Sequence, residues 1–139
     1  MIAQSRPDRH ESAGPEEGSM ARLLVQIATG PENPTRAGLG LLIARSAMES
    51  GHEVDVFLAG DGVALLRPET LDLANGIGTG SLREHVDALS GGGATFYLSG
   101  LSSKARAITP ETVGQVSVTM VPPPRLVELA LAADRVLVY

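Results

Sequence analysis

The 139-residue chain has no cysteine. That removes disulfides, thiolate nucleophiles, thiolate zinc sites and iron–sulfur clusters together. Tryptophan is also absent and aromatics make up only 3% of residues, while 43% are hydrophobic, so the core must be built from Val, Leu, Ile and Ala. Such a diet suits a parallel sheet covered by helices. The formal net charge is -5, and neither Lys nor Arg forms a block dense enough to neutralise a row of phosphates, so nucleic acid is not expected as a partner. No window supplies the ~18 apolar residues of a spanning helix, and the N-terminus lacks the apolar core of a secretory signal. No membrane association is expected, and the expected location is the cytoplasm. The three histidines are scattered without ligand spacing, so the sequence predicts neither a metal nor another cofactor.

Residues 1–20 are rich in Pro, Gly, Ser and charge and offer almost nothing to bury, which predicts a disordered tail before one domain over 21–139. From Arg22 the pattern turns regular. "LLVQIAT" (23–29) ends in Gly30-Pro31 as a buried strand does. Apolar residues then recur at helical spacing between Pro34 and a terminal Gly51, with Gly38 and Gly40 expected to let the helix pack closely on the sheet. "EVDVFLA" (53–59) is a second strand, followed by a Gly60-Asp61-Gly62 turn and a short apolar piece, 63–67. Residues 68–80 read as an irregular excursion that covers a pocket or joins a subunit contact through Leu71, Leu73 and Ile77. Ser81 with Glu84 three residues on has the capping-box spacing and opens a helix ending at Gly91. "ATFYLSG" (94–100) is a third strand, "SSKARAI" (102–108) a short helix, and "GQVSVTMV" (114–121) a fourth, edge-like strand. A proline-led helix over 122–134 precedes a fifth strand, 135–139.

Strand–helix alternation at this spacing predicts a three-layer α/β/α sandwich around a five-stranded, mostly parallel sheet, a flavodoxin-like architecture. In such folds ligands gather beyond the carboxyl ends of the strands. Those ends carry Thr29 and Gly30, Gly60 to Gly62, Ser99 to Ser103, and Thr119 to Pro122.

Three blocks, in order, resemble the DsrE/DsrF-like family, which includes subunits of TusBCD-type sulfur relays. "GHEVDVFLAGDGV" (51–63) resembles that family's second strand and its Asp-Gly-Val turn. "FYLSGLSSKARAI" (96–108) resembles its Cys-x-x-Cys-x-x-Ala-Arg-Gly block, and "ADRVLVY" (133–139) its closing strand. The likeness spans about residues 22–139 and implies a DsrEFH-like fold, trimers or hexamers, and a site at the third strand end. Ser99 and Ser102 fall where relay members carry cysteine; Ala105 and Arg106 match the Ala-Arg pair, and Ala107 replaces glycine. A serine hydroxyl is barely ionised at neutral pH and forms no persulfide, so the resemblance does not bring sulfur transfer to this chain.

The candidate ligand-binding residues are Thr29, Asp61, Ser99, Gly100, Ser102, Ser103 and Arg106; no catalytic residue is assigned. The hydroxyls serve either to cap a helix beginning near Ser102 or to form a cradle for an anion or small ligand. Arg106 either guards that cradle or makes an ion pair, and Asp61 either joins the site or simply bonds its own turn. A serine hydrolase needs a base beside its nucleophile; His52 precedes the second strand, at the wrong end, and His85 is expected on a helix surface. "GIGTGS" (76–81) does not follow a strand and is read as loop, not as a nucleotide fingerprint. The leading expectation is a non-catalytic, homo-oligomeric domain that binds a small molecule or protein partner at this strand-end pocket. The alternatives are an enzyme using hydroxyls, Asp61 and Arg106 on an anionic substrate, or a structural subunit for a cysteine-bearing relay partner.

Overall fold

The computed structural model describes residues 19–139. All but the last two residues of the tail expected over 1–20 lie outside the described residues. Five strands form one sheet: β1 (Arg22–Ile27), β2 (Glu53–Leu58), β3 (Thr95–Ser99), β4 (Val118–Val121) and β5 (Arg135–Val138), in the spatial order β4-β3-β2-β1-β5. Every pairing is parallel, so the sheet is parallel throughout. The connecting helices are α1 (Pro34–Glu49), a 3₁₀ helix (Gly60–Leu66), α2 (Pro68–Leu73), α3 (Leu82–Gly91), α4 (Gly100–Ala105) and α5 (Pro123–Ala132).

Local chemistry fixes most of these boundaries. The Asn33 side chain accepts from the Arg36 amide, Pro34 occupies the first turn of α1, and Gly51 leaves it with φ +96. Ser81 caps α3 by accepting from the Glu84 amide. Two expectations need correction. Residues 68–80 are not irregular from the start, because Pro68 opens the short helix α2, which tucks Leu71 into the core. Of the three apolar residues expected at an interface, only Leu73 and Ile77 are exposed. The fourth strand is also shorter than 114–121: pairing begins at Val118, opposite Phe96. It does lie at an edge of the sheet.

The strands' two-residue alternation divides the core. Val25, Ile27, Val56, Leu58, Phe96 and Leu98 are buried on one face, in a single cluster with Leu41 and Ala44 of α1 and Val86 and Leu89 of α3. The opposite face buries Leu24, Phe57 and Val121 with Leu129 of α5. Phe57 and Tyr97, register partners on neighbouring strands, stack there at 6.5 Å, and the Arg125 guanidinium lies 5.6 Å from the Tyr97 ring centre. Helix α5 joins β4 at one edge to β5 at the other, so it must cross this second face. Of the two glycines in α1, Gly40 meets the sheet: a Cβ there would stand 2.8 Å from Ile27 Cδ1. Gly38 instead faces the loop before α3, where its Cβ would lie 2.5 Å from Thr79 Oγ1.

Asp55 is 7% exposed on the second face, its carboxylate 3.4 Å from Arg22 Nε. Burial raises its pKa above the ordinary aspartate value, and Arg22 only partly opposes that rise. The carboxyl therefore favours the fold while protonated, and this contribution is lost as pH rises through the raised value. Asp55→Asn should match the native chain in urea unfolding near pH 3 and gain stability relative to it as pH rises toward 8. A relative loss over that interval would mean that the Arg22 contact outweighs burial.

Candidate functional site

The strand ends converge through backbone contacts too close for side chains. Gly30, just past β1, is buried, and a Cβ on it would stand 2.2 Å from the Asp61 carbonyl oxygen. A Cβ on Gly62 would stand 2.2 Å from the Ile27 carbonyl oxygen. Gly60 turns the chain with φ +55, a left-handed conformation that glycine adopts without steric cost. The exit of β2 is thus folded over the exit of β1, with Asp61 at the tip and exposed. Thr29 lies beside this contact, half-buried, its hydroxyl making no hydrogen bond among the described residues.

From β3 the chain enters α4, a six-residue helix. Its cap is Ser99 rather than Ser102: Ser99 Oγ accepts from the Ser102 amide at 3.1 Å, so the helix begins two residues before the expected position. The Ser102 hydroxyl accepts from the Gly60 amide at 2.9 Å, joining β3's exit to β2's. Arg106 Nε and Nη2 both donate to Asp61 Oδ1, at 3.2 and 3.1 Å, while Nη1 donates to the Ser102 carbonyl at 3.1 Å. Ser103 is 1% exposed and its hydroxyl has no partner among the described residues. Asp61, Ser99, Ser102 and Arg106 therefore form one connected group, and each is engaged in holding main chain or its neighbour. Neither histidine joins it: His52 Nδ1 accepts from the Ala21 amide at the far end of β2. His85, expected at a surface, is 4% exposed, with Nε2 2.6 Å from the Thr79 carbonyl.

After α4 the chain closes with a Schellman motif. Ile108 donates to the Ser103 carbonyl at 2.9 Å, Ala107 to that of Lys104 at 3.4 Å, and Ala107 carries φ 56. It is the non-glycine residue of positive φ among the described residues. A left-handed position explains why glycine suits this place in the motif and why alanine strains it.

Beside this group an apolar pocket of about 290 Å³ opens between Gly100, Leu101, Met120, Val121, Pro122 and Pro123. Of the seven predicted residues only Gly100 lines it; its backbone faces the Val121 carbonyl, 3.4 Å from where a Cβ would sit. In the sequence, hydroxyls and charges mark the connected polar group, whereas the pocket has neither in its walls. The pocket walls come instead from β4's exit, where Met120 and the proline run give an apolar signal that resembles ordinary helix entry. Among the described residues no three His, Asp or Glu side chains stand together as metal ligands, and no helix is long and apolar enough to cross a membrane.

With this geometry established, a family model described as DsrE/DsrF-like matches residues 21–139. The chain belongs to the DsrE/DsrF-like family. The DsrE-like fold is also that of the ychN protein from E. coli, with a TM-score of 0.71 at 18% identity over 86% of this chain and 100% of that one. A conserved protein of unknown function from Bacteroides thetaiotaomicron gives a TM-score of 0.65 at 13% identity, over 86% of this chain and 95% of that one. No curated protein matches. At these identities the two structures speak for the fold alone.

Two substitutions test the site's architecture in this DsrE-like chain. Ser102→Ala leaves the Gly60 amide without its acceptor and should lower unfolding free energy by about 1–2 kcal/mol in urea titration. Ala107→Gly relieves the left-handed strain and should raise it by about 1 kcal/mol in the same assay; an unchanged or lower value would remove strain as the explanation.

Proposed function

We propose that this DsrE-like domain is a non-catalytic, cytoplasmic member of its family that assembles as a homotrimer or homohexamer. It binds a small molecule or a protein partner at the strand-end pocket. The observation carrying the proposal is that both hydroxyls at the family's cysteine positions are committed to main-chain amides, Ser99 to Ser102 and Ser102 to Gly60. A nucleophile needs a base beside it, and the carboxylate nearest in the network, Asp61, is held by Arg106. That arrangement disfavours an enzyme acting through the hydroxyls, Asp61 and Arg106. The apolar pocket next to Gly100 supplies a binding surface without supplying reactive groups.

Assembly is supported by what the outer surface leaves uncovered. All four residues of β5 are exposed, including Val136 and Val138. Val127 and Leu131, one turn apart on the outer side of α5, are 57% and 82% exposed. A bare edge strand beside an apolar helical stripe invites another protein surface.

Two measurements on the full chain test the proposal. Mass spectrometry after incubation with a persulfide donor should show no sulfur adduct, with a cysteine-bearing family member as positive control; a stable adduct would overturn the non-catalytic reading. Light scattering should give a trimeric or hexameric mass that Leu131→Glu reduces to a monomer. A monomeric native chain would end the assembly reading.

A further inference from the structure

Among the described residues β5 pairs with β1 on one side and with no strand on the other. A bare edge is a template for a further strand, and proteins that must stay apart blunt it with proline, lysine, a bulge or a covering element. At the opposite edge β4 runs straight into Pro122, Pro123 and Pro124. β5 has neither proline nor lysine, and all four of its residues are exposed. Its one charge, Arg135, stands at the strand's start, and the other three residues are apolar: Val136, Leu137 and Val138 are 41%, 36% and 64% exposed.

The order of these residues limits what can pair with them. Val136 and Val138 are register partners of Leu24 and Gln26, so they lie on the face that α5 covers, while Leu137, the partner of Val25, lies on the other. Directly opposite residues of an antiparallel pair share a face, so a two-fold axis between two β5 strands must set one residue against its own copy. Two such registers oppose three of the four strand residues. Centred on Val136, the pairing sets the Arg135 charge against an apolar Leu137. Centred on Leu137, it opposes only apolar residues: Leu137 meets its own copy on one face, and Val136 meets Val138 twice on the other. The edge is complementary to itself in that register.

We propose that two copies of this chain join through β5, antiparallel and centred on Leu137, so that two five-stranded sheets become one. The inference rests on the assembly reading above and narrows it, because a closed hexamer contains two-fold axes and a three-fold ring contains none. Val127 and Leu131, exposed on α5, add apolar surface to the same face of the joined sheet as Val136 and Val138.

The chain has no cysteine, so one introduced thiol reports on one position. In the full chain, Leu137→Cys puts the two Cα atoms of the pair about 5 Å apart, within disulfide reach, whereas Arg135→Cys sets them about 14 Å apart. Mild oxidation followed on non-reducing gels should cross-link Leu137→Cys to a dimer about tenfold faster than Arg135→Cys, or more. Val136→Cys mixed with Val138→Cys should likewise cross-link faster than either alone, which keeps the test open if the Leu137 variant folds poorly. Light scattering of the native chain should give a hexameric mass. Equal rates at 135 and 137, fastest cross-linking by Val136→Cys alone, or a trimeric mass each overturn the edge pairing while leaving the assembly reading in place. A monomeric mass ends both, and is the outcome expected if residues 1–18 of the chain itself lie along the edge.

Discussion

A parallel sheet ends in unpaired backbone groups wherever its strands leave it, and here that constraint is met by two serine hydroxyls. Ser99 takes the Ser102 amide and Ser102 takes the Gly60 amide, so the exits of β2 and β3 are tied to each other. The turn of residues 60–62 is then free to lie directly on β1's exit, an approach that only glycines at 30 and 62 permit. The serine hydroxyls hold β3's exit to β2's, and the glycine approaches, which are backbone to backbone and leave no side chain to readjust, hold β2's exit to β1's.

These contacts are ones a hydroxyl can make in a chain that has no cysteine. A hydroxyl and a thiol are similar in size at the turn from β3 into α4, but the hydroxyl is the better acceptor and the poorer nucleophile. In this chain the position serves structure: it caps, it bridges, and Arg106 closes over it onto Asp61. The exposed Arg106–Asp61 pair adds at most about 1 kcal/mol of stability, so its consequence is chiefly positional. What remains open nearby is apolar, between Gly100 and the prolines that follow β4.

The sheet's two faces are covered unequally. One is closed by α1, α3 and the segment from Gly60 to Leu73; the other rests on α5 and a small cluster around Phe57. The lightly covered face also holds Asp55 and Arg22, while β5 stays exposed at its margin. The apolar residues left exposed there are Val136, Leu137 and Val138 of β5 and Val127 and Leu131 of α5.

The sequence alone determined the succession of elements, because hydrophobic period, proline at helix entry and glycine at helix exit are local signals. It also excluded thiol chemistry and located the strand-end group, since Asp61, Ser99, Ser102 and Arg106 all stand at the carboxyl ends of strands that proved to be neighbours. Its errors came where tertiary contact outweighs local character: Leu71 in a stretch that reads as loop, and His85 on a helix face that α3 turns inward. Only the tertiary structure decided which hydroxyl holds which amide, and that the nearby pocket is walled by apolar residues. The reason is distance along the chain: Ser102 meets Gly60 across 42 residues and Arg106 meets Asp61 across 45, and no local pattern records such meetings.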